Sequence, residues 1–414
     1  MRLLHTSDWH LGQTLHEFER DYEHQCFLDW LLDTLETEQV EALLIAGDIF
    51  DNANPSAAAQ KQFYGFLTAA RRRVPHLNIV IIAGNHDSSG RLEAPGPLFA
   101  AFGATVVGHT RQQGEINLDR LVTPLQNRTG DIAAWGLAIP FLRPGDVPLV
   151  ETEGDRYLKG VELLYRQALD RALSRRQPGQ AIIALGHCHM SGGRTSEDSE
   201  RRLVIGGAEA LPVEIFDPVI AYAALGHLHR AQKVGGQERV RYSGSPLPMS
   251  FTEIDYRHQV IRIDLDGEAV REITPIPVNG GKRFVELLRI PADPAPIDVV
   301  LELLGKLALP DAPLNAQPYL EVQVQLTGPE PGLAARIDAA LDGKPVRRAK
   351  IRSFSPQAQA ESGTAPPSLD DLGRLQPDDI FRKLYRSRFG GEPTAELLAV
   401  FTELVREADT ETAP

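Results

Sequence analysis

Five short apolar runs, Arg2–Thr6, Ala42–Ala46, Ile79–Ala83, Ala181–Leu185 and Ala221–Leu225, each lead within two residues into metal-ligand residue types. The exits read Asp8-Trp9-His10, Gly47-Asp48-Ile49-Phe50-Asp51, Gly84-Asn85-His86-Asp87, Gly186-His187-Cys188-His189 and Gly226-His227-Leu228-His229. Runs this short and this apolar read as strands buried on both faces. Residues two apart on a strand share a face, so Asp8 with His10, and His227 with His229, can each converge on one point. Glycine ahead of the ligand predicts a sharp bend out of the sheet.

Taken singly, each residue has a bland reading. Asp8 and Asp48 would pass as strand-end or turn residues, Asn85-His86 as turn chemistry, and His227 or His229 as satisfied core histidines. Five such exits in order do not fit that reading together. Carboxylate, imidazole and amide donors without thiolates suit hard or borderline divalent ions such as manganese. A set this large holds two ions about 4 Å apart if one carboxylate bridges them, and Asp48, in the middle motif, is the bridge. His86 is then expected on the substrate side, stabilising phosphoryl charge and protonating the leaving oxygen. His189 can share a face with His187, but a supporting role fits it better than ligation.

Helical spacing fills the gaps between strands: Asp21–Glu38 with Phe27, Leu28, Leu31, Leu32 and Leu35, then Ala57–Arg73 behind Pro55, then Tyr157–Arg176. The alternation predicts an α/β domain over residues 1–278. After Gly280-Gly281 a strand–helix–strand–helix–strand pattern (Phe284–Ile290, Ile297–Leu307, Tyr319–Leu326, Leu333–Leu341, Val346–Phe354) predicts a small α+β domain over 282–355. Residues 356–376, rich in Pro, Gln, Ala, Ser and Gly, read as a linker. The tail, 377–414, carries two apolar stripes, Ile380, Phe381, Leu384, Tyr385 and Leu397, Leu398, Phe401, Leu404, which call for a partner.

The formal net charge of the 414 residues is −13, which excludes a continuous basic sheath for nucleic acid. A polyanionic substrate would need local cationic surface, metal ions or a partner. Arg348, Lys350 and Arg352, at period two, predict one basic strand face for DNA. No run approaches the roughly 18 apolar residues of a membrane span, and the first residues lack the apolar core of a signal peptide. With only Cys26 and Cys188 besides, the expectation is a cytoplasmic, nucleoid-associated protein without membrane contact.

The motifs D-x-H, G-D-x-x-D, G-N-H-D, G-H and G-H-x-H resemble those of the calcineurin-like metallophosphoesterases. Thr6–Gln13, Leu225–Gln232 and Tyr242–Phe251 (Y-S-G-S-P-L-P-M-S-F) narrow the resemblance to the SbcD nucleases, bacterial relatives of the meiotic-recombination nuclease. That resemblance covers the first 280 or so residues. It implies a two-sheet β-sandwich flanked by helices, with metal ligands at Asp8, His10, Asp48, Asn85, His187, His227 and His229 and a catalytic histidine at His86. It implies two manganese ions, DNA as substrate, a DNA-capping domain, and a tail that grips the coiled-coil root of the ATPase SbcC. It further implies a homodimer within a heterotetramer, paired near Phe63, Phe66, Leu67, Leu98, Phe99 and Phe102. Archaeal relatives carry a second histidine three residues after the bridging aspartate; Asp51 stands there in this chain. Two other functions compete with an ATP-regulated nuclease. One is a stand-alone phosphodiesterase for small nucleotides, which has no use for the last 130 or so residues. The other is a scaffold, which has no use for the ligand set.

Overall fold

The continuous apolar runs are buried on both faces, and successive residues of each serve different cores. Leu3 of β1 (Arg2–Thr6), Ala42, Leu44 and Ala46 of β2 (Ala42–Ala46), and Val80 and Ile82 of β3 (Asn78–Ile82) enter one core; Leu4, Leu43, Ile45, Ile79 and Ile81 enter another. In the second core lie α1 (Asp21–Thr37) and α2 (Ala57–Arg73), through Phe27, Leu31, Leu35, Phe63, Phe66 and Leu67. The first core is shared with a second sheet: β5 (Val122–Gln126), β6 (Ile132–Ala138), β7 (Ala181–His187), β8 (Tyr222–Gly226), β9 (Gln232–Val234) and β10 (Gln237–Tyr242). Against it also packs α3 (Arg156–Arg175), by Val161, Leu164, Tyr165, Ala168 and Ala172.

This computed structural model describes residues 1–196, 210–328 and 330–354 and, in the tail, 381–382, 384–386, 393–394, 397–398 and 400–401. With β4 (Ala104–Val107), β11 (Gln259–Asp266) and β12 (Ala269–Pro277), the first sheet runs β12-β11-β1-β2-β3-β4, and the second runs β9-β10-β8-β7-β6-β5. β1 to β4 are parallel, as are β6, β7, β8 and β10; the outer strands add antiparallel edges. The fold is therefore α/β, two mixed sheets flanked by helices, as the sequence reading expects. Ser56 caps α2 by accepting the Ala59 N–H, and Asp155 caps α3 by accepting from Tyr157 and Leu158. Among the described residues no helix is long and apolar enough to cross a membrane.

The chain divides into two compact units, Met1–Val285 and Glu286–Pro414. In the second, β13 (Leu287–Pro296), α4 (Ile297–Gly305), β14 (Tyr319–Gln325), α5 (Leu333–Leu341) and β15 (Arg347–Phe354) form a three-stranded all-parallel sheet with two helices. Val300 and Leu304 of α4 and Ile337 and Leu341 of α5 pack with Leu320, Val322 and Val324, so both helices cover one face. The expected linker over 356–376 lies outside the described residues, as do Ile380 and Leu404. In the tail the two stripes meet: Phe381 stacks on Phe401 at 4.2 Å. Leu384 stays 62% exposed and Val400 55%.

Two expectations are corrected here. Phe63, Phe66, Leu67 and Phe99 are core residues rather than a pairing surface; Phe66 meets the indole of Trp9 edge-on at 5.3 Å. Of that group Leu98 is exposed, at 62%, and Phe102 is half-buried. Nor do Arg348, Lys350 and Arg352 share a face. The register between β14 and β15 slips at Ala349, pairing Arg348 with Leu320 but Lys350 with Glu321 and Arg352 with Gln323. Arg348 therefore falls on the helix-covered side, where its guanidinium meets the carboxylate of Asp338 on α5 at 2.5 Å.

Candidate metal centre

The five exits lie at the carboxyl ends of adjacent parallel strands, where open α/β sheets place their sites. Beyond β1 and β2 the chains stay zipped: Asp8 N–H donates to Gly47 O, His10 N–H to Asp48 O and Leu11 N–H to Ile49 O. The backbone amide of His227, leaving β8 in the other sheet, donates to Asp8 Oδ1 at 2.9 Å. The site thus straddles the two sheets. Asp8, His10, Asp48 and His227 have positive φ (55°, 47°, 50° and 105°), strain that concentrates at the ligands and is held by this ladder.

The glycines do something other than bend. Gly47 has a positive φ of 89°, but Gly84 and Gly226 do not. At Gly84 a Cβ would overlap the Asp48 carboxylate, and at Gly226 it would overlap the Ala46 carbonyl oxygen. Glycine there gives room for close backbone approach, and that requirement comes from the packing of the sheets.

Asp48 sits at the centre, 2% exposed. Its Oδ2 lies 3.3 Å from His187 Nε2 and 3.7 Å from His10 Nε2, while Oδ1 accepts the His86 amide at 2.9 Å. Asn85 Oδ1 is 2.9 Å from both His187 Nε2 and His227 Nδ1. His187 Nδ1 donates to the Ala46 carbonyl at 2.8 Å, so in neutral His187 the Nε2 presents a lone pair to two acceptor oxygens. Either a proton on Nε2 or a metal cation between those three atoms reconciles them, and donors about 2.1 Å from a first-row ion sit at such mutual distances. On the other side, donor atoms of Asp8, His10 and His229 lie within 4.8 Å of one another, and so do those of His10, Asp48 and His86. His10 Nε2 is buried without a hydrogen-bond partner, as an unliganded donor would be. The residues fit two ions with Asp48 between them.

The charges agree. Burial raises the Asp48 carboxyl, but His187, His10 and His86 outweigh it and hold the group well below the usual range. Burial lowers His187, and the charge and hydrogen bond of Asp48 reverse that, raising it to about 9. Burial, helped by His187, takes His227 to about 3, leaving it neutral and ready to ligate. An ion entering at His187 must displace a proton, so loading strengthens as pH rises.

His86 is half-buried, and its Nδ1 lies 2.7 Å from the Asp51 carbonyl; a carbonyl only accepts, so Nδ1 carries the proton and Nε2 is left available. Asp51 also brings its carboxylate to 3.4 Å from His10 Nδ1. His189 joins none of the ligand groups among the described residues; its ring lies 6.3 Å from that of His227. Two residues escape the sequence reading. Asp87 accepts the amides of Gly84, Ile49 and Phe50 and so pins the Asp48 loop; burial, then the charge of Asp48, raises its carboxyl to about 6. Glu253 accepts from His229 Nδ1 at 2.9 Å. The place of Asp87 beside Asn85-His86 is a signal of sorts; nothing local marks Glu253.

Such a donor set at the carboxyl ends of two facing sheets defines a dimetal phosphoesterase. The chain belongs to the calcineurin-like phosphoesterase family, which residues 1–231 match, and within it to the SbcD nucleases. Residues 283–389 match the type 5 capsule protein repressor C-terminal domain. The chain is 42% identical to the SbcD nuclease subunit of Rhodobacter capsulatus over 92% of this chain and 93% of that one. It is 34% identical to the SbcD subunit of Escherichia coli K12 over 92% of each, and 38% identical to that of Bacillus subtilis over 69% of this chain and 72% of that one.

Proposed function

We propose that this protein is the nuclease subunit of an SbcCD complex and hydrolyses DNA phosphodiesters with two divalent ions, manganese suiting the donors best. The observation that carries the reading is the pair of acceptor-rich clusters meeting at Asp48 Oδ2, between His10 Nε2 and His187 Nε2. Asp8, His10, Asp48 and His229 would hold one ion, and Asp48, Asn85, His187 and His227 the other. Bound metal supplies Lewis acidity toward the phosphoryl oxygens and a hydroxide at neutral pH. The chain's own contribution is orientation and a proton. His86, fixed through Nδ1 by the Asp51 carbonyl, has Nε2 available to hold a proton for the leaving oxygen. The contacts of Asp51 to His10 and His86 make it an orienting group.

The domain bounds 1–278 and 282–355, a linker over 356–376 and a tail over 377–414 remain the working division. In the tail Phe381 stacks on Phe401, and Leu384 of the first stripe and the neighbouring Val400 stay exposed for helices of SbcC to cover. Pairing of two copies would use Leu98, which is exposed, since Phe63, Phe66, Leu67 and Phe99 are spent on the core.

DNA contact by the small unit narrows to Lys350 and Arg352, which share the face away from the helices, while Arg348 lies on the helix-covered side against Asp338. Charge reversal at both should flatten the dependence of duplex affinity on salt by about 2 in log–log slope, at about 0.9 per phosphate contact. Reversal of Arg348 alone should leave the slope unchanged. Equal effects from all three would restore a single basic face.

The function is tested with purified protein and manganese on hairpin DNA and on cyclic nucleotides, with and without SbcC. Cleavage of DNA is expected, and a chain ending at Ser368 should keep manganese-dependent activity on single strands while failing to co-purify with SbcC. Turnover of cyclic nucleotides with DNA untouched would make the protein a small-nucleotide phosphodiesterase instead.

A further inference from the structure

The segment Tyr242–Phe251, distinctive in the sequence, contains none of the ligands. Its first residue, Tyr242, serves the His187 loop, the hydroxyl donating to Cys188 O at 2.6 Å and accepting the Met190 amide at 2.9 Å; the residues after it lie behind the other half of the metal centre. Ser245 N–H donates to the carbonyl of His229 at 3.0 Å, and a Cβ on Gly244 would overlap that same carbonyl oxygen. The loop is anchored from the far side: Arg20 Nη1 donates to Pro248 O at 2.7 Å and Gln13 Nε2 to Met249 O at 3.0 Å. From this loop two side-chain contacts run inward. Ser243 Oγ lies 2.8 Å from Ser7 Oγ, which donates to Asp8 Oδ2 at 2.5 Å. Glu253, fully buried, accepts the Met249 amide on Oε2 at 2.7 Å and His229 Nδ1 on Oε1 at 2.9 Å.

We infer that residues 243–253 form a support for one metal position only, with Glu253 as its positioning residue. A carboxylate on Nδ1 fixes the proton there and leaves Nε2 of His229 as the donor atom, in one ring orientation. Asp8 is steadied from the same loop through the two serines. The other position is held differently. His187 is oriented by the Ala46 backbone carbonyl, and Asn85 Oδ1 meets both His187 and His227. Loss of Glu253 therefore acts on one ion and spares its neighbour. This deepens the two-ion reading above and rests on it.

The experiment is manganese titration of the full-length protein, followed by calorimetry and by electron paramagnetic resonance, for wild type, Glu253→Ala and Glu253→Gln. Wild type should bind two ions and give the spectrum of a spin-coupled pair; failure of that control would sink the two-ion reading itself. Glu253→Ala should lose about 10- to 100-fold in affinity at one position, the usual effect of removing such a partner, and show the six-line spectrum of an isolated ion at one equivalent. Glu253→Gln, which keeps an acceptor for Nδ1, should fall between the two. The thermal midpoint of metal-free protein reports the fold separately. If Glu253→Ala does not fold, Glu253→Gln and Ser243→Ala carry the comparison, and both should weaken a single position. Wild-type affinities at both positions in the folded variants, or equal losses at both, would overturn the proposal.

Discussion

Asp48→Ala is expected to lose both ions and to lower phosphodiester hydrolysis by more than about a thousandfold, since metal stabilisation of the transition state is worth several kcal/mol and each 1.4 kcal/mol is about tenfold. The expectation follows from one oxygen. Asp48 Oδ2 is within 3.3 Å of His187 Nε2 and 3.7 Å of His10 Nε2, the donor atoms of the two halves. Neither half keeps a complete set without it, and excess manganese should not rescue turnover. Manganese stoichiometry and activity over a range of metal concentrations are the measurements. An Asp48→Ala protein that still bound one ion at wild-type affinity would show that Asp48 serves a single position.

His86→Ala should behave in the opposite way, keeping both ions while turnover falls by about 10²- to 10⁴-fold, the range for loss of a positioned general acid. Its amide donates the hydrogen bond to Asp48, and alanine preserves that bond. The ring's own anchor is a backbone carbonyl, that of Asp51, so removing it strands no buried charge. Metal stoichiometry decides the role, because an imidazole nitrogen of His86 also lies within ligand reach of His10 and Asp48. Loss of an ion together with activity would make His86 a ligand rather than the proton donor.

Much of this centre can be read from the chain alone because its chemistry repeats. A buried parallel strand must be apolar on both faces, so its end stands out wherever polar ligands begin. Strands β1, β2, β3, β7 and β8 are legible for that reason, and the structure brings the side chains expected at their ends close together. Strands β9 to β12, at one end of each sheet, are not. β12, for instance, has no fully buried residue along Ala269–Pro277, so it carries no apolar run to find. The basic stripe fails for a related reason. Period two holds only while the ladder is unbroken, and the slip at Ala349 is set by pairing with β14.

The sequence by itself determined the class of donors, their order along the chain and the strands that deliver them, because these depend on residue type and local hydrophobic pattern. Tertiary structure decided everything that depends on which backbones approach each other. It set Asp48 Oδ2 between histidines from two elements, His10 and His187, and demanded glycine at 84 and 226 for lack of space rather than for bending. It turned Phe66 inward onto Trp9, away from any partner. It also brought Glu253 to His229 across 24 residues of chain, a contact with no local signature because a buried carboxylate is tolerated only where a distant partner meets it.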